Sequence, residues 1–157
     1  MAIEVDVAWP TWRLLALDVG SVRIGVAVSD PSGTVVSERG IIRRQPTAQA
    51  LARIQATIAE EEAVGVIVGL PLSLSGEPSD QTRATQAFAV QIAAQIAVPL
   101  VLWDERYTTT EAERILRDRG VRRDRWRDQI DAVAAAVILQ DYLDAHITPV
   151  MPPPDVL

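Results

Sequence analysis

The connection between the first two strand-like segments is only three residues long, and this restricts the fold more than any other feature. Residues 13–19 and residues 23–29 are both apolar runs of the kind found in buried strands. A parallel return would need a crossover of about a dozen residues or more. Because only residues 20–22 separate the two segments, they must pair as an antiparallel hairpin. A turn at 30–33 leads to a third strand over 34–42, which completes a meander.

Helices and strands alternate after the meander. Apolar spacing predicts the order helix, strand, helix, strand, helix, helix, over residues 47–62, 65–70, 80–96, 99–103, 108–119 and 128–145. Threonines ahead of Glu111 and Glu113 predict a capping box on the third helix. Right-handed crossovers then give an α/β fold. Its five-stranded mixed sheet combines an antiparallel three-strand meander with parallel crossovers and has helices on both faces, which is the ribonuclease H-like plan.

The chain has room for one domain. Its 157 residues, of which 48% are hydrophobic, suffice for one sizeable core but not for two ordinary domains. We divide it into an N-terminal extension (1–12), a ribonuclease H-like domain (13–146) and a Pro-rich tail (147–157). No apolar run approaches the roughly 18 residues that span a bilayer, and the N-terminus is acidic, unlike a signal peptide. We therefore expect a cytoplasmic protein without a membrane partner.

Missing residue types exclude several kinds of chemistry. The sequence has no Cys, so thiolate nucleophiles and cysteine-ligated zinc are excluded. Its single histidine, His146, cannot serve a site that needs two imidazoles. All 15 basic residues are Arg, which excludes a P-loop lysine and a Schiff-base lysine. Carboxylates remain as the groups that can support catalysis.

Acidic residues stand at the ends of two predicted strands. Asp18 is near the end of an otherwise apolar strand, where a carboxylate is costly unless it is paired, hydrogen-bonded or bound to metal. Asp104 and Glu105 end the fifth strand, at the sheet edge where ligands bind in open α/β folds. Structural alternatives stay open, since Asp18 could cap a turn and the acidic pair could be solvated beside Arg106.

Asp131 lies in the first turn of the last helix, on the flank of its apolar stripe, so we expect it to face the same sheet edge. Interaction with the helix N-terminus is the alternative. Three carboxylates at one edge are the minimum for holding Mg²⁺ or Mn²⁺, which prefer oxygen ligands, and Asp104 is a further candidate ligand. Such a site hydrolyses phosphodiester bonds without His, Cys or Lys. We therefore predict that Asp18, Glu105 and Asp131 are catalytic, and that Asp141 is structural.

An arginine-rich segment directly precedes Asp131. Seven of the 15 arginines lie within residues 114–127, together with Trp126. Arginines with an interleaved aromatic side chain suit phosphate contact and base stacking, although neighbouring aspartates could make the segment a solvated face. The net charge of −6 argues against bulk electrostatic coating of nucleic acid, so any contact must be local.

Four blocks of sequence resemble one known family. They are Leu17-Asp-Val-Gly-Ser-Val-Arg-Ile-Gly-Val-Ala-Val-Ser-Asp30, Val68-Gly-Leu-Pro-Leu72 with Gly76, Asp104-Glu-Arg-Tyr-Thr-Thr109 with Glu111-Ala112, and Ile130-Asp-Ala-Val-Ala-Ala-Ala-Val-Ile-Leu-Gln140. In this order they are similar to the YqgF family, also described as RuvX-like Holliday junction resolvases and as pre-16S ribosomal RNA nucleases. The family commonly has a Lys shortly before the helix Asp, where this chain has Arg127 and Gln129.

The resemblance implies a metal-dependent endonuclease of structured nucleic acid, with the same three acids. It also implies that the loop with Pro71 and the Thr82-Arg83 pair lie beside the substrate. From the pattern and the resemblance together, we predict nucleic-acid contacts at Gly20, Arg23, Pro71, Arg83, Arg106, Arg122, Arg123, Arg125 and Arg127.

Several functions remain open at this point. The substrate could be the 5′ end of pre-16S ribosomal RNA, a Holliday junction, or both, and a symmetric junction would favour a homodimer. A catalytically inactive nucleic-acid-binding or ribosome-assembly module is an alternative. An actin-like ATP-binding phosphotransferase is a remote one, because that class needs a duplicated domain and this chain has no repeat.

Overall fold

A mixed β-sheet organises the protein. The computed structural model describes residues 3–4 and 7–147. Its sheet has six strands in the order β1-β6-β5-β2-β3-β4. The strands are β1 Ile3–Glu4, β2 Leu14–Val19, β3 Arg23–Ser29, β4 Val36–Arg43, β5 Gly65–Pro71 and β6 Leu100–Glu105.

Strand pairing confirms the predicted topology. The strands β2, β3 and β4 form the antiparallel meander, while β2, β5 and β6 are parallel neighbours. The five predicted strands are all present. The short strand β1 adds a parallel edge beside β6, with Ile3 paired to Leu100, so the predicted N-terminal extension contributes a sixth strand. Of the predicted tail, residues 148–157 lie outside the described residues.

Helices cover both faces of the sheet, as predicted. They are α1 Thr47–Glu61, α2 Asp80–Gln95, α3 Thr108–Asp118 and α4 Trp126–His146, with a 3₁₀ turn at Arg123–Arg125 before α4. The helices α1 and α2 pack on one face and α4 on the other, while α3 packs against α4.

The capping box predicted for α3 is wrong. The residue before α3 is Tyr107, which makes no side-chain cap. The observed capping box instead begins α2, where Ser79 and Thr82 exchange side-chain and backbone hydrogen bonds. Thr108 bonds to a carboxylate rather than to the backbone of its own helix, as described below.

The side chains of strand β2 point alternately to the two faces of the sheet. Leu15 and Leu17 join the core beneath α1 and α2, whereas Leu14 and Ala16 pack on the α4 side. Because strand side chains alternate between faces, Asp18 continues the α4 series. Helix α4 therefore covers the face on which the predicted catalytic strand acid lies.

Gly25 lets the backbone of α4 approach the hairpin closely. Gly25 pairs with Asp18 across β2 and β3. A Cβ atom at Gly25 would lie 1.8 Å from the carbonyl oxygen of Asp131, so no larger residue fits without displacement of the helix. This contact places the first turns of α4 directly over the end of the hairpin.

Candidate active site

Asp18 is the most strongly perturbed acid of the site. Burial, together with the nearby charges of Glu105 and Asp131, raises the pKa of Asp18 from 3.8 to about 7. These charge effects mean that Glu105 on β6 and Asp131 on α4 both lie near Asp18 on β2. Sequence analysis predicted this convergence.

Stability should fall as the pH rises from 3.8 to about 7 in buffer without divalent cations, because the folded protein then holds a proton on Asp18 that the unfolded chain releases. Below this window both states are protonated, and above it the destabilisation is constant. Asp18→Asn cannot ionise, so thermal unfolding with chelator should show a weaker pH dependence. At pH 8 the variant should have a higher Tm, by roughly 2–4 °C for each kcal/mol of repulsion removed. Equal Tm values at pH 8 would contradict the burial of this charge.

Glu105 ends β6 on the same face as Asp18. Its neighbours two and four positions earlier, Trp103 and Val101, both pack on the α4 side. Gly69 on β5 makes room for it, because a Cβ atom there would lie 3.1 Å from Cγ of Glu105 and 2.5 Å from a methyl carbon of Ile138.

One oxygen of Glu105 is buried and has no hydrogen-bond partner in the described part of the chain. Oε2 has no hydrogen bond among the described residues. Burial raises the pKa of Glu105, a hydrogen bond from the Thr108 side chain lowers it, and the charge of Asp104 raises it. A buried acceptor without a donor is costly, so this oxygen is suited to a bound cation or to a donor of a ligand.

Asp131 makes an ion pair that sequence analysis missed. Nε of Arg23 donates to its carboxylate at 2.6 Å, and both side chains are largely shielded. Arg23 lies at the start of β3, one strand away from Asp18. Residues 18–25 were recognised as a motif from the sequence. Arg23 was predicted to contact nucleic acid, and its ion pair with Asp131 was not predicted.

The three acids converge without forming a closed cage. Within the described residues, no three acidic or histidine side chains stand close enough to enclose a metal ion. The Asp131 carboxylate is held by its ion pair with Arg23. All donors are nevertheless carboxylate oxygens, and the unpartnered oxygen of Glu105 fits a hard divalent cation.

Asp104, the further candidate ligand, is placed differently. It follows Trp103, and strand alternation puts it on the opposite face from Glu105. Its carboxylate is half exposed and pairs with Arg106 at 3.2 Å. Asp104 and Arg106 therefore form a surface pair beside Glu105.

Comparison with known proteins supplies the family. A family model described as "RuvX: Holliday junction resolvase" matches residues 12–145. The chain belongs to this family. A relative from Chloroflexus aggregans, named "Putative pre-16S rRNA nuclease", is 43% identical over 136 residues, which cover 87% of this chain and 96% of the relative. Family membership and the named relatives identify this RuvX-family protein as a nuclease, as predicted.

Solved structures of resolvases share the fold. The Thermus thermophilus RuvC structure in complex with Holliday junction substrate has a TM-score of 0.50 and 16% identity, and the match covers 84% of this chain and 93% of that chain. The fowlpox virus resolvase with substrate Holliday junction DNA has a TM-score of 0.54 and 8% identity, covering 87% and 99%. At these identities the likeness confirms the ribonuclease H-like fold.

The arginine-rich segment of this RuvX-family protein lies at the surface. Its arginines pair with nearby acids, namely Arg114 with Glu111 and Asp118, Arg119 with Glu38, Arg122 with Asp124 and Arg125 with Asp128. Arg117 and Arg123 lie over the Trp126 ring. Exposed ion pairs contribute little stability, so these arginines can exchange acids for phosphates at low cost.

The other predicted contact residues lie in the β2–β3 turn, at the end of β5 and in the first turn of α2. Gly20 is in the β2–β3 turn, where a Cβ atom would lie 2.6 Å from the Arg23 carbonyl oxygen. Pro71 ends β5 beside Glu105, and its carbonyl accepts a hydrogen bond from Thr82. Arg83, on the first turn of α2, pairs with Asp80 at 2.6 Å.

Aromatic side chains form a structural cluster towards the end of α4. Nε1 of Trp103 donates to Asp141 at 2.9 Å, and Trp9 donates to the Tyr142 hydroxyl at 2.9 Å. The His146 ring stacks on Tyr142. Asp141 thus has a structural partner.

None of the helices among residues 3–4 and 7–147 is both long and apolar enough to cross a membrane.

Proposed function

We propose that this protein is a metal-dependent endonuclease that hydrolyses phosphodiester bonds in structured nucleic acid through Asp18, Glu105 and Asp131. One observation supports the proposal above all others. Three carboxylates from separate elements meet at the end of β2, where repulsion and burial raise the pKa of Asp18 to about 7. Such an arrangement is unfavourable for stability alone and is typical of functional sites.

Mg²⁺ or Mn²⁺ is the proposed cofactor. Asp18 and Glu105 would hold the cation, because both carboxylates are largely buried and one oxygen of Glu105 has no partner among residues 7–147. Asp131 would complete the site by exchanging its ion pair with Arg23 for the cation. When bound, divalent cations supply activation of the attacking water and stabilisation of the leaving 3′ oxygen.

The chain's own residues prepare this chemistry in three ways. Arg23 holds the Asp131 carboxylate in position before a substrate arrives. Gly25 and Gly69 let α4 and Glu105 approach the strands closely enough to bring the acids together. The exposed arginines before α4 attract the phosphate backbone and orient it along the site.

The proposed substrates are pre-16S ribosomal RNA at its 5′ end, Holliday junctions, or both. The name of the Chloroflexus relative supports the first, and the family description supports the second. We place the protein in the cytoplasm, and we infer a homodimer if it cuts paired strands of a symmetric junction.

The test of the substrate is cleavage of a labelled junction and a labelled precursor-RNA fragment by the same purified preparation. Metal-independent binding of both without cleavage would instead favour an inactive binding module.

Replacing Arg122 and Arg123 by Ala should weaken nucleic-acid binding without lowering stability. The Arg122 side chain is 82% exposed, so its removal leaves no cavity. The slope of log K against log salt should become shallower by about 1.4–1.8 if each arginine contacts one phosphate. Anisotropy titrations over a salt series in chelator measure this slope.

The matched control for that experiment removes Arg39 and Arg53, whose acid partners Glu61 and Glu60 lie on α1. This double variant has the same net charge but should keep the parent slope. An unchanged slope after loss of Arg122 and Arg123 would mean that the segment is a solvated face.

A further inference from the structure

A second pocket lies beside the β2–β3 turn, on the other side of the sheet from the acids. Val19 packs in the core beneath α1 and α2, and the turn that follows it, with Gly20 and Ser21, forms one wall. Arg44 and Thr85 contribute to the opposite wall. The cavity holds about 370 Å³. It is not part of the carboxylate site, yet its lining begins at Val19, the residue directly after Asp18.

Arg44 is held firmly in this pocket. Its guanidinium lies 3.8 Å above the centre of the Phe88 ring, and Nη1 donates to the Gly20 carbonyl at 3.3 Å. Cation–π stacking and a backbone hydrogen bond fix the plane of the group. Phe88 itself is buried in the core, so the platform under Arg44 is rigid.

Arg44 has no acidic partner within the part of the chain that the structure describes. Its Nε atom is buried and makes no hydrogen bond there, and burial lowers the pKa of Arg44. Other shielded arginines are paired, as Arg13 is with Glu61 and Arg23 with Asp131. A partly buried guanidinium whose Nε donor is unused, and which has no acidic partner among the described residues, is suited to bind an anion.

The pocket and the acids lie on opposite sides of the same strand end. Asp18 faces α4, whereas Val19 and Arg44 face α2. Two residues of extended chain span at most about 7 Å, so Gly20 is close to Asp18. A nucleic-acid strand that crosses this sheet edge would therefore contact both sites.

We propose that Arg44 binds a backbone phosphate of the nucleic acid, close to the phosphate that is cut. The inference rests on the proposed function. Arginine presents a planar fork of donors that matches phosphate oxygens, and the Ser21 hydroxyl and the open cavity are beside it. The carboxylate of Asp80 also borders the pocket, but Arg83 pairs with it at 2.6 Å and offsets its charge.

The first test uses inorganic phosphate and needs no nucleic acid. In ¹H–¹⁵N spectra of the labelled protein, phosphate should shift the amide signals of Gly20 and Ser21. The shifts should be absent in Arg44→Gln and present in the matched control Arg43→Gln, which removes the neighbouring exposed arginine. Signals that do not move in the parent protein, or that move equally in Arg44→Gln, overturn the anion site.

The second test asks whether the anion is a backbone phosphate. Labelled RNA and junction DNA carry one methylphosphonate at a time and are titrated by anisotropy in chelator, so that no cleavage is required. One position near the cut should weaken binding to the parent about tenfold, the loss expected for one charge-assisted hydrogen bond. Arg44→Gln should bind the unmodified strand about tenfold more weakly and show no further loss at that position.

The outcomes separate this inference from the proposed function. Cleavage with normal binding by Arg44→Gln leaves the nuclease intact and overturns the role of Arg44. Phosphate shifts in a protein that binds no nucleic acid mean that the pocket takes free anions, which overturns both proposals. Even if Arg44→Gln is too unstable to study, a methylphosphonate profile of the parent protein with no sensitive position near the cut overturns the role of Arg44.

Discussion

Asp18→Asn should reduce cleavage of both candidate substrates by at least about 100- to 1,000-fold, the loss expected when one major electrostatic group is removed from a site. The substitution keeps the shape of the side chain and removes its negative charge. Asp18 lies near both Glu105 and Asp131, so the substitution removes one of the negative charges that would hold a bound cation. Single-turnover cleavage with saturating protein isolates this loss from changes in binding.

The matched control for Asp18→Asn is Asp128→Asn. Asp128 is an exposed acid in the first turn of α4, and its partner at 4.0 Å is Arg125. The control should cleave like the parent. Unchanged cleavage by folded Asp18→Asn protein would remove Asp18 from the catalytic site. If Asp128→Asn loses as much cleavage as Asp18→Asn, the rate depends on the general negative charge near α4 and not on the three-carboxylate site.

Cleavage should require Mg²⁺ or Mn²⁺, stop in excess chelator, and fail to return when Zn²⁺ is restored at stoichiometric level. The donors are carboxylates, which suit hard six-coordinate cations, whereas a tetrahedral zinc site needs Cys or several His ligands. His146 cannot assist, because it follows Asp131 by 15 residues on the same helix, about 22 Å at 1.5 Å per residue. Chelator titration followed by metal add-back measures the requirement.

Two outcomes of the metal experiment would contradict the account. Equal cleavage in excess chelator would remove the metal and the ligand roles of the three acids together. Full recovery with stoichiometric Zn²⁺ but not with Mg²⁺ would mean that other ligands bind the catalytic ion. His146→Gln tests the second point, and we expect it to cleave at the parent rate because the ring of His146 stacks on Tyr142 away from the acids.

The fold could be predicted because its constraints are local. A three-residue connection forces the β2–β3 hairpin, and each crossover follows from alternating helical and strand-like spacing. Asp18 and Glu105 could be predicted for a related reason, since strand ends fix where their side chains emerge. The two-residue strand β1 could not, because so short a segment has no periodicity, and its pairing with β6 depends on distant residues.

The parts of the site that were missed depend on contacts between distant residues. Arg23 and Asp131 are 108 positions apart, and their ion pair exists because Gly25 lets α4 approach the hairpin. Asp104 was kept as a further candidate ligand with pairing beside Arg106 as the alternative, and the structure shows that ion pair. Arg44 could not be singled out from the sequence, because what distinguishes it is the Phe88 ring beneath it and the absence of an acidic partner among the described residues.

Mn²⁺ binding to the purified protein, followed by electron paramagnetic resonance, tests the central claim most directly, because it detects the metal site without requiring cleavage. Asp18→Asn, Glu105→Gln and Asp131→Asn are each compared with the parent and with Asp104→Asn, whose carboxylate pairs with Arg106 at the surface. The three-carboxylate site predicts that the first three variants bind Mn²⁺ at least about tenfold more weakly, as expected for the loss of one charged ligand, and that Asp104→Asn binds like the parent. Equal Mn²⁺ affinity in all five proteins, or a loss confined to Asp104→Asn, would contradict it.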